Sequence, residues 1–249
     1  MNSFATQNYP KDENTTMEVS TTATTKDALR DMMLLNEQGA LALRGGDEKQ
    51  AHGTFRAVIA ALGSFANSVQ LDLDDLAPIQ AKVLSSVEVP TMSDERFFVC
   101  GDALLFGWDD SQKEVVPPSV TDISFCSSVA LFNMALNYHN RAMATGSRRY
   151  FELASKIYEQ ALLVVSSIDG FHEDLNKVRI LLLNNLAHIY YFEFGEHPKA
   201  VAYLEQIQSA LHFFLTDLGQ EMDGFRPGTS MGVFLNLITT APPFAAACA

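Results

Sequence analysis

The sequence predicts a mainly all-α fold: an α-solenoid of about three antiparallel helix pairs with a small two-stranded β element. Three observations carry this. A block opening with leucine and reaching a small residue four places later occurs three times, as Leu35-Asn-Glu-Gln-Gly39, Leu131-Phe-Asn-Met-Ala135 and Leu183-Asn-Asn-Leu-Ala187. Each is followed by a second block that starts with alanine: Ala51, Phe55 and Val58; Ala154, Tyr158 and Ala161; Ala200, Leu204 and Ile207. Two apolar stretches rich in β-formers, 97–106 and 233–240, lie outside this pattern. Small residues let one helix lie close to its partner while the aromatic or leucine wedges into the seam. A single such hairpin cannot bury its apolar face, so copies must stack.

The elements follow in order. Residues 1–24 are rich in Ser, Thr and Asn with few apolar anchors, and are expected to form a disordered tail ahead of one helical domain, 25–249. Leu29, Met33, Leu34 and Leu41 recur at helical spacing until Gly45-Gly46 breaks the run. Asp47 can cap the next helix, with Gln50 three residues later completing a capping box. Residues 68–118 lose the periodicity and carry Pro78, Pro90, Pro117 and Pro118, which reads as an insertion. Ser119 and Asp122 open a helix as Ser-x-x-Asp, which runs to about Ala144. Gly146-Ser147 turns the chain into a helix ending near Ser166, and Asp169-Gly170 turns it again. The helix from Glu173 to Glu193 is apolar on most of its circumference, as expected when neighbours cover both sides. Gly195 ends it, and Pro198 suits the first residue of the last helix. Residues 219–249 form a loop, an extended segment and a tail.

Neither 97–106 nor 233–240 has the length or caps of a helix, and each would leave backbone groups unpaired if buried alone. Their pairing as a ribbon packed on the helices is expected, with Phe97, Phe106, Phe234 and Ile238 buried.

Composition narrows the function classes. Thirty acidic against 17 basic residues gives a net charge of −13, which repels phosphate backbones and anionic membranes. Nucleic acid is therefore not an expected ligand, and basic peptides or proteins are the natural complement. Cys100, Cys126 and Cys248 lack Cys-x-x-Cys spacing and suit a reducing compartment. No secretory signal is visible and no run of about 18 apolar residues exists, so membrane insertion is not expected and a cytoplasmic or nuclear location is.

The repeated blocks resemble tetratricopeptide repeats, in which two antiparallel helices stack into a superhelix with a concave face. The first copy places Leu35, Gly39, Gly46, Ala51 and Phe55 where that motif has them. The third has Leu183, Ala187, Tyr190, Gly195 and Ala200 with one extra residue in the turn. The second has Leu131, Ala135, Tyr138, Ala154, Tyr158 and Ala161 with seven extra. No tryptophan opens a repeat, the closing proline is absent, and the spacing exceeds the roughly 34 residues usual for the family. The resemblance implies that the first helices of the pairs line a groove. Candidate peptide-binding residues there are Asn133, His139 and Asn140 on one helix, with Asn184, Asn185, His188 and Tyr191 on the next. Asparagine donates and accepts at once, so it can pair with both halves of a peptide unit. In similar proteins asparagines at the places of Asn133 and Asn185 hold a peptide backbone.

Catalytic motifs are weak beside this. Gly228-Thr-Ser-Met-Gly232 spells a nucleophile elbow, yet the preceding Asp223-Gly-Phe-Arg-Pro227 does not suit a strand and no Asp, Glu or His follows Ser230. Asp72-Leu-Asp74-Asp75 lacks the glycine and distal glutamate of a calcium loop. His172-Glu173 and Glu196-His197 do not form a zinc motif, and no phosphate-cradling glycine loop occurs. The expectation is a non-catalytic protein–protein interaction module, an adaptor or assembly scaffold, with no cofactor and no metal. The alternative is a structural helical module whose groove is filled by its own insertion or tail, and a serine hydrolase using Ser230 is remote.

Overall fold

The structure, a computed structural model, describes residues 14–68, 81–89, 97, 99–108, 118–168 and 173–217, with side chains described for 27–67, 81–89, 97, 99–108, 118–168 and 173–211. The first pair is α1 (Asn14–Arg44) and α2 (Glu48–Ser68). Helix α1 begins inside the stretch whose composition suggests a tail. The turn between them is a Schellman motif: Gly46 has φ 78°, its amide bonds the Leu43 carbonyl, and the Asp47 amide reaches back to Ala42. Asp47 then caps α2, its Oδ1 accepting from the Gln50 amide at 2.9 Å.

The second pair is α3 (Val120–Thr145) and α4 (Arg148–Ser166). Ser119 and Asp122 form the expected capping box, and Gly146 closes α3 in the left-handed region at φ 65°. The extra residues of this copy lie inside the helices: α3 continues past Leu131 to Thr145 where α1 stops at Arg44 after Leu35, α4 starts at Arg148 well ahead of Ala154 where α2 starts at Glu48 ahead of Ala51, and the turn Gly146-Ser147 stays short.

The third pair is α5 (Glu173–His188), continued by a π-helical turn (Ile189–Glu193), and α6 (His197–Asp217). The π turn takes up the one extra residue expected in the connection: the Phe194 amide bonds the Ile189 carbonyl five residues back, at 3.0 Å. Pro198 falls one residue inside α6.

Helices pack in sequence, each on the next, and the first helices α1, α3 and α5 also touch side by side. This is the arrangement of stacked pairs. The seams hold the expected small residues, with Gly39 against Phe55 of α2 and Ala51, Ala135, Ala154, Ala187 and Ala200 fully buried. At Gly39 the approach is so close that a Cβ would lie 2.6 Å from Cε1 of Phe55. Helix α5 is buried around nearly its whole circumference, as its sequence predicts.

The ribbon differs from expectation in its partner. β2 (Ala103–Trp108) pairs antiparallel with β1 (Ala81–Val87), from Ala81 opposite Trp108 to Val87 opposite Ala103, with a bulge between Val83 and Ser85. Residues 233–240 lie outside the described residues, and so do Phe234 and Ile238. Phe97 and Phe106 are buried, as expected. The β1 stretch carries Lys82, Ser85 and Ser86 and is only partly buried, so it lacks the apolar density that marks a strand in the sequence. The ribbon lies on the face formed by the first helices, where β2 packs against α1 and α3. Gly107 leaves room for neighbouring side chains, since a Cβ there would crowd Leu84 of β1 and Met33 of α1.

Candidate functional site

Asparagine has poor helix propensity because its side chain competes for backbone groups, and a buried carboxamide is costly unless all its atoms are paired. Asn133 stands near the middle of α3 and Asn185 in the last turn of α5, and both are fully buried. Each finds its partners in the backbone of the insertion. Asn133 Oδ1 accepts from the Leu104 amide and its Nδ2 donates to the Leu104 carbonyl, both at 2.8 Å. Asn185 treats Cys100 the same way, accepting from its amide at 2.9 Å and donating to its carbonyl at 3.0 Å. Two residues of the insertion, four apart, are thus each held by a carboxamide through both of their main-chain polar atoms.

Further polar groups complete the floor. Asn36 of α1 donates to the Leu104 carbonyl at 2.9 Å and accepts from Asn133 Nδ2 at 3.0 Å. Asn184 donates to Cys100 Sγ at 3.3 Å. Asn185 Nδ2 also donates to the Tyr158 hydroxyl at 3.0 Å. That hydroxyl lies 3.5 Å from His139 Nδ1, and His139 Nε2 lies 3.1 Å from His188 Nδ1. A consistent assignment has Tyr158 donating to His139 Nδ1 and His139 Nε2–H donating to His188 Nδ1. Above them the Phe97 ring packs on His188 and Phe192, with centroids 5.6 and 5.7 Å away.

The floor is dry and neutral. Burial, followed by the neighbouring His188, holds the His139 imidazole well below its ordinary range. Burial likewise pushes the Tyr158 phenol far up. Burial and then the Asp102 carboxylate raise the Cys100 thiol far above its usual value, against a smaller opposing effect of the Asn184 hydrogen bond. Nucleophilic sulfur chemistry needs a thiolate, which this setting suppresses. What the arrangement offers is recognition of an extended backbone with an aromatic side chain set beside it.

Of the residues the sequence singles out, Asn133, His139, Asn184, Asn185 and His188 come together on this face. Asn140 and Tyr191 are placed differently. The Asn140 carboxamide is shut away from water without a hydrogen-bond partner among the described residues. Tyr191 packs on Phe192 and His197 beside the π turn. Asn36 and Tyr158 are members that the groove assignment overlooks. A signal for Asn36 existed, because it follows Leu35 as Asn184 follows Leu183.

Carboxylates anchor the other strand. Buried Asp122, already in the α3 cap, accepts from the Ala81 amide at 2.7 Å, and Asp174 accepts from the Val83 amide at 3.2 Å. Lys177 is buried and paired with Glu173 and Asp174 at 2.5 and 3.3 Å, so it is engaged within α5. On α4, one Glu159 oxygen accepts from Tyr190, Lys199 and Tyr203 at 2.8, 2.7 and 3.3 Å. Desolvation raises the Glu159 carboxyl, but bonds from Lys199 and Tyr190 outweigh it and hold it low. This cluster ties α4 to α6. Among the described residues no group of three or more His, Cys, Asp or Glu is placed to hold a metal ion, and no helix is long and apolar enough to cross a membrane. Ser230 and the Asp72–Asp75 cluster lie outside the described residues.

Comparison with protein-family models, with curated proteins and with solved structures finds no match.

Proposed function

We propose that the chain is a non-catalytic protein-recognition scaffold of the tetratricopeptide-repeat kind, lengthened in its second and third pairs. Its recognition face is the one formed by α1, α3 and α5, and that face is filled by the chain's own insertion. The observation that carries the reading is the paired clamp: Asn133 on Leu104 and Asn185 on Cys100, each engaging both the amide and the carbonyl of one residue. This is the contact by which a carboxamide recognises peptide irrespective of sequence. The neutral floor supports the same reading, since it presents donors and acceptors but no charge for a carboxylate or phosphate.

A second reading, a purely structural module closed by its ribbon, is favoured by the full burial of Asn133, Asn184 and Asn185. One experiment separates the two. Protease sites built into 70–79 and 110–116 are cleaved in the folded protein, leaving 81–108 as a noncovalent piece. On the recognition reading, that piece dissociates on dilution and re-exchanges with a labelled copy, and Asn185→Ala weakens its affinity about tenfold or more. A piece that never exchanges, or one indifferent to both asparagines, would leave only the structural module.

A further inference from the structure

The two clamps hold the insertion differently. At Leu104 the segment belongs to β2, is laddered to β1, and meets both Asn133 and Asn36. At Cys100 it precedes the ladder. There its contacts to the helices include the Asn185 carboxamide, the Asn184–sulfur bond and the Phe97 ring on His188 and Phe192, with Asp102 tied to Ser86 of β1 and Val99 buried beside them. Helices α3 and α5 also touch each other directly, so the stack does not depend on this stretch for its continuity.

We propose that Phe97–Cys100 is an internal stand-in for an external ligand, and that the α5 end of the face, made by Asn184, Asn185, His188 and Phe192, is an exchangeable peptide site. The occupant it takes is an extended segment of another polypeptide with an aromatic residue three places before a small one. Its amide and carbonyl at the small residue replace those of Cys100 on Asn185, and its aromatic replaces Phe97 over His188. β2 remains laddered and clamped by Asn133 throughout. Without an incoming segment, the internal copy keeps the site shut. This inference rests on the recognition reading above and fixes the ligand's class and the half of the face that opens.

Two buried thiols make the exchange measurable. Cys100 lies on the exchanging segment, whereas Cys126 is buried within α3, which stays in place. The test uses the full chain carrying Cys248→Ser, a maleimide, and a synthetic peptide copying residues 96–104 with serine at the position of Cys100. The two sites are read separately by peptide mapping. The expected result is a saturable rise in Cys100 labelling of about tenfold or more with Cys126 unchanged, since labelling tracks local opening. A scrambled peptide gives no rise. Asn185→Ala raises basal Cys100 labelling and abolishes the response to peptide. No rise at peptide concentrations up to roughly 1 mM, or Cys100 and Cys126 rising together, overturns the proposal. If the severed ribbon exchanges while the intact chain does not respond, this inference falls and the recognition reading stands.

Discussion

Helices α1 and α2 lie close together at Gly39, and adding one methyl group there tests the packing argument. In Gly39→Ala the new Cβ would sit 2.6, 2.9 and 3.0 Å from three atoms of the Phe55 ring. Carbon atoms are at ease at about 3.5–4.0 Å, so the ring or helix α1 must move by roughly 1 Å. Phe55 is fully buried and has nowhere to go. Overpacking of this kind costs about 1–3 kcal/mol, while replacing a mid-helix glycine by alanine returns at most about 1 kcal/mol of helix propensity. The net expectation is a loss of about 1–2 kcal/mol. Gly53 and Gly63 on α2 supply the control, because a Cβ at either meets nothing within 4 Å. There the same substitution should stabilise by about 0.4–1 kcal/mol. Urea unfolding followed by helical circular dichroism measures all three, and the change should appear in the midpoint with the slope unaltered. Phe55→Leu should be less harmful in the Gly39→Ala background than in the parent, a coupling that marks direct contact. If Gly39→Ala is as stable as Gly53→Ala, the seam argument is wrong.

Three further predictions follow from the interior. Ala154→Leu and Ala187→Leu force bulk into fully buried seams and should each cost about 1–3 kcal/mol or more in the same assay. Asn185→Ala strands the Cys100 amide and carbonyl and removes a donor from Tyr158, so it should cost about 2–4 kcal/mol, whereas Asn140→Ala, with no carboxamide bond among the described residues to lose, should cost far less in chemical unfolding. His139 sets a pH dependence: its folded value is depressed, so the unfolded chain takes up a proton near its ordinary 6.5 while the folded chain does not. Stability contributed by this group is complete above that pH and falls as pH drops below it, by about 1.4 kcal/mol per unit, and His139→Gln should flatten the slope.

The helix pairs were legible because their signals are local. Gly39 with Phe55 and Ala154 with its buried seam announce close approach within one hairpin, and Asp47, Ser119 and Gly146 mark the ends. The π turn was not legible as such. One surplus residue before Gly195 can go into a loop or a helix, and bonds such as Phe194 to Ile189 decide the matter only in three dimensions. The ribbon was half legible. Ala103–Trp108 is dense in apolar residues, but Ala81–Val87 takes its place through amides received by Asp122 and Asp174, which leave no periodic trace. Asn133 and Asn185 could be assigned to one face because each stands two residues after its repeat leucine. Their intramolecular partner could not be read, since Cys100 lies 85 residues from Asn185 and no local rule links them.

Amide hydrogen exchange, resolved by residue with NMR, bears most directly on the claim that two carboxamides hold the internal segment. The amides of Cys100 and Leu104 donate to Asn185 and Asn133, so both should be strongly protected, although Cys100 lies outside the β ladder. Asn185→Ala should lower protection at Cys100 by about tenfold or more while Leu104 keeps most of its own, and Asn133→Ala should do the reverse. Rapid exchange at Cys100 in the parent protein, or equal loss at both amides in either variant, would contradict the account.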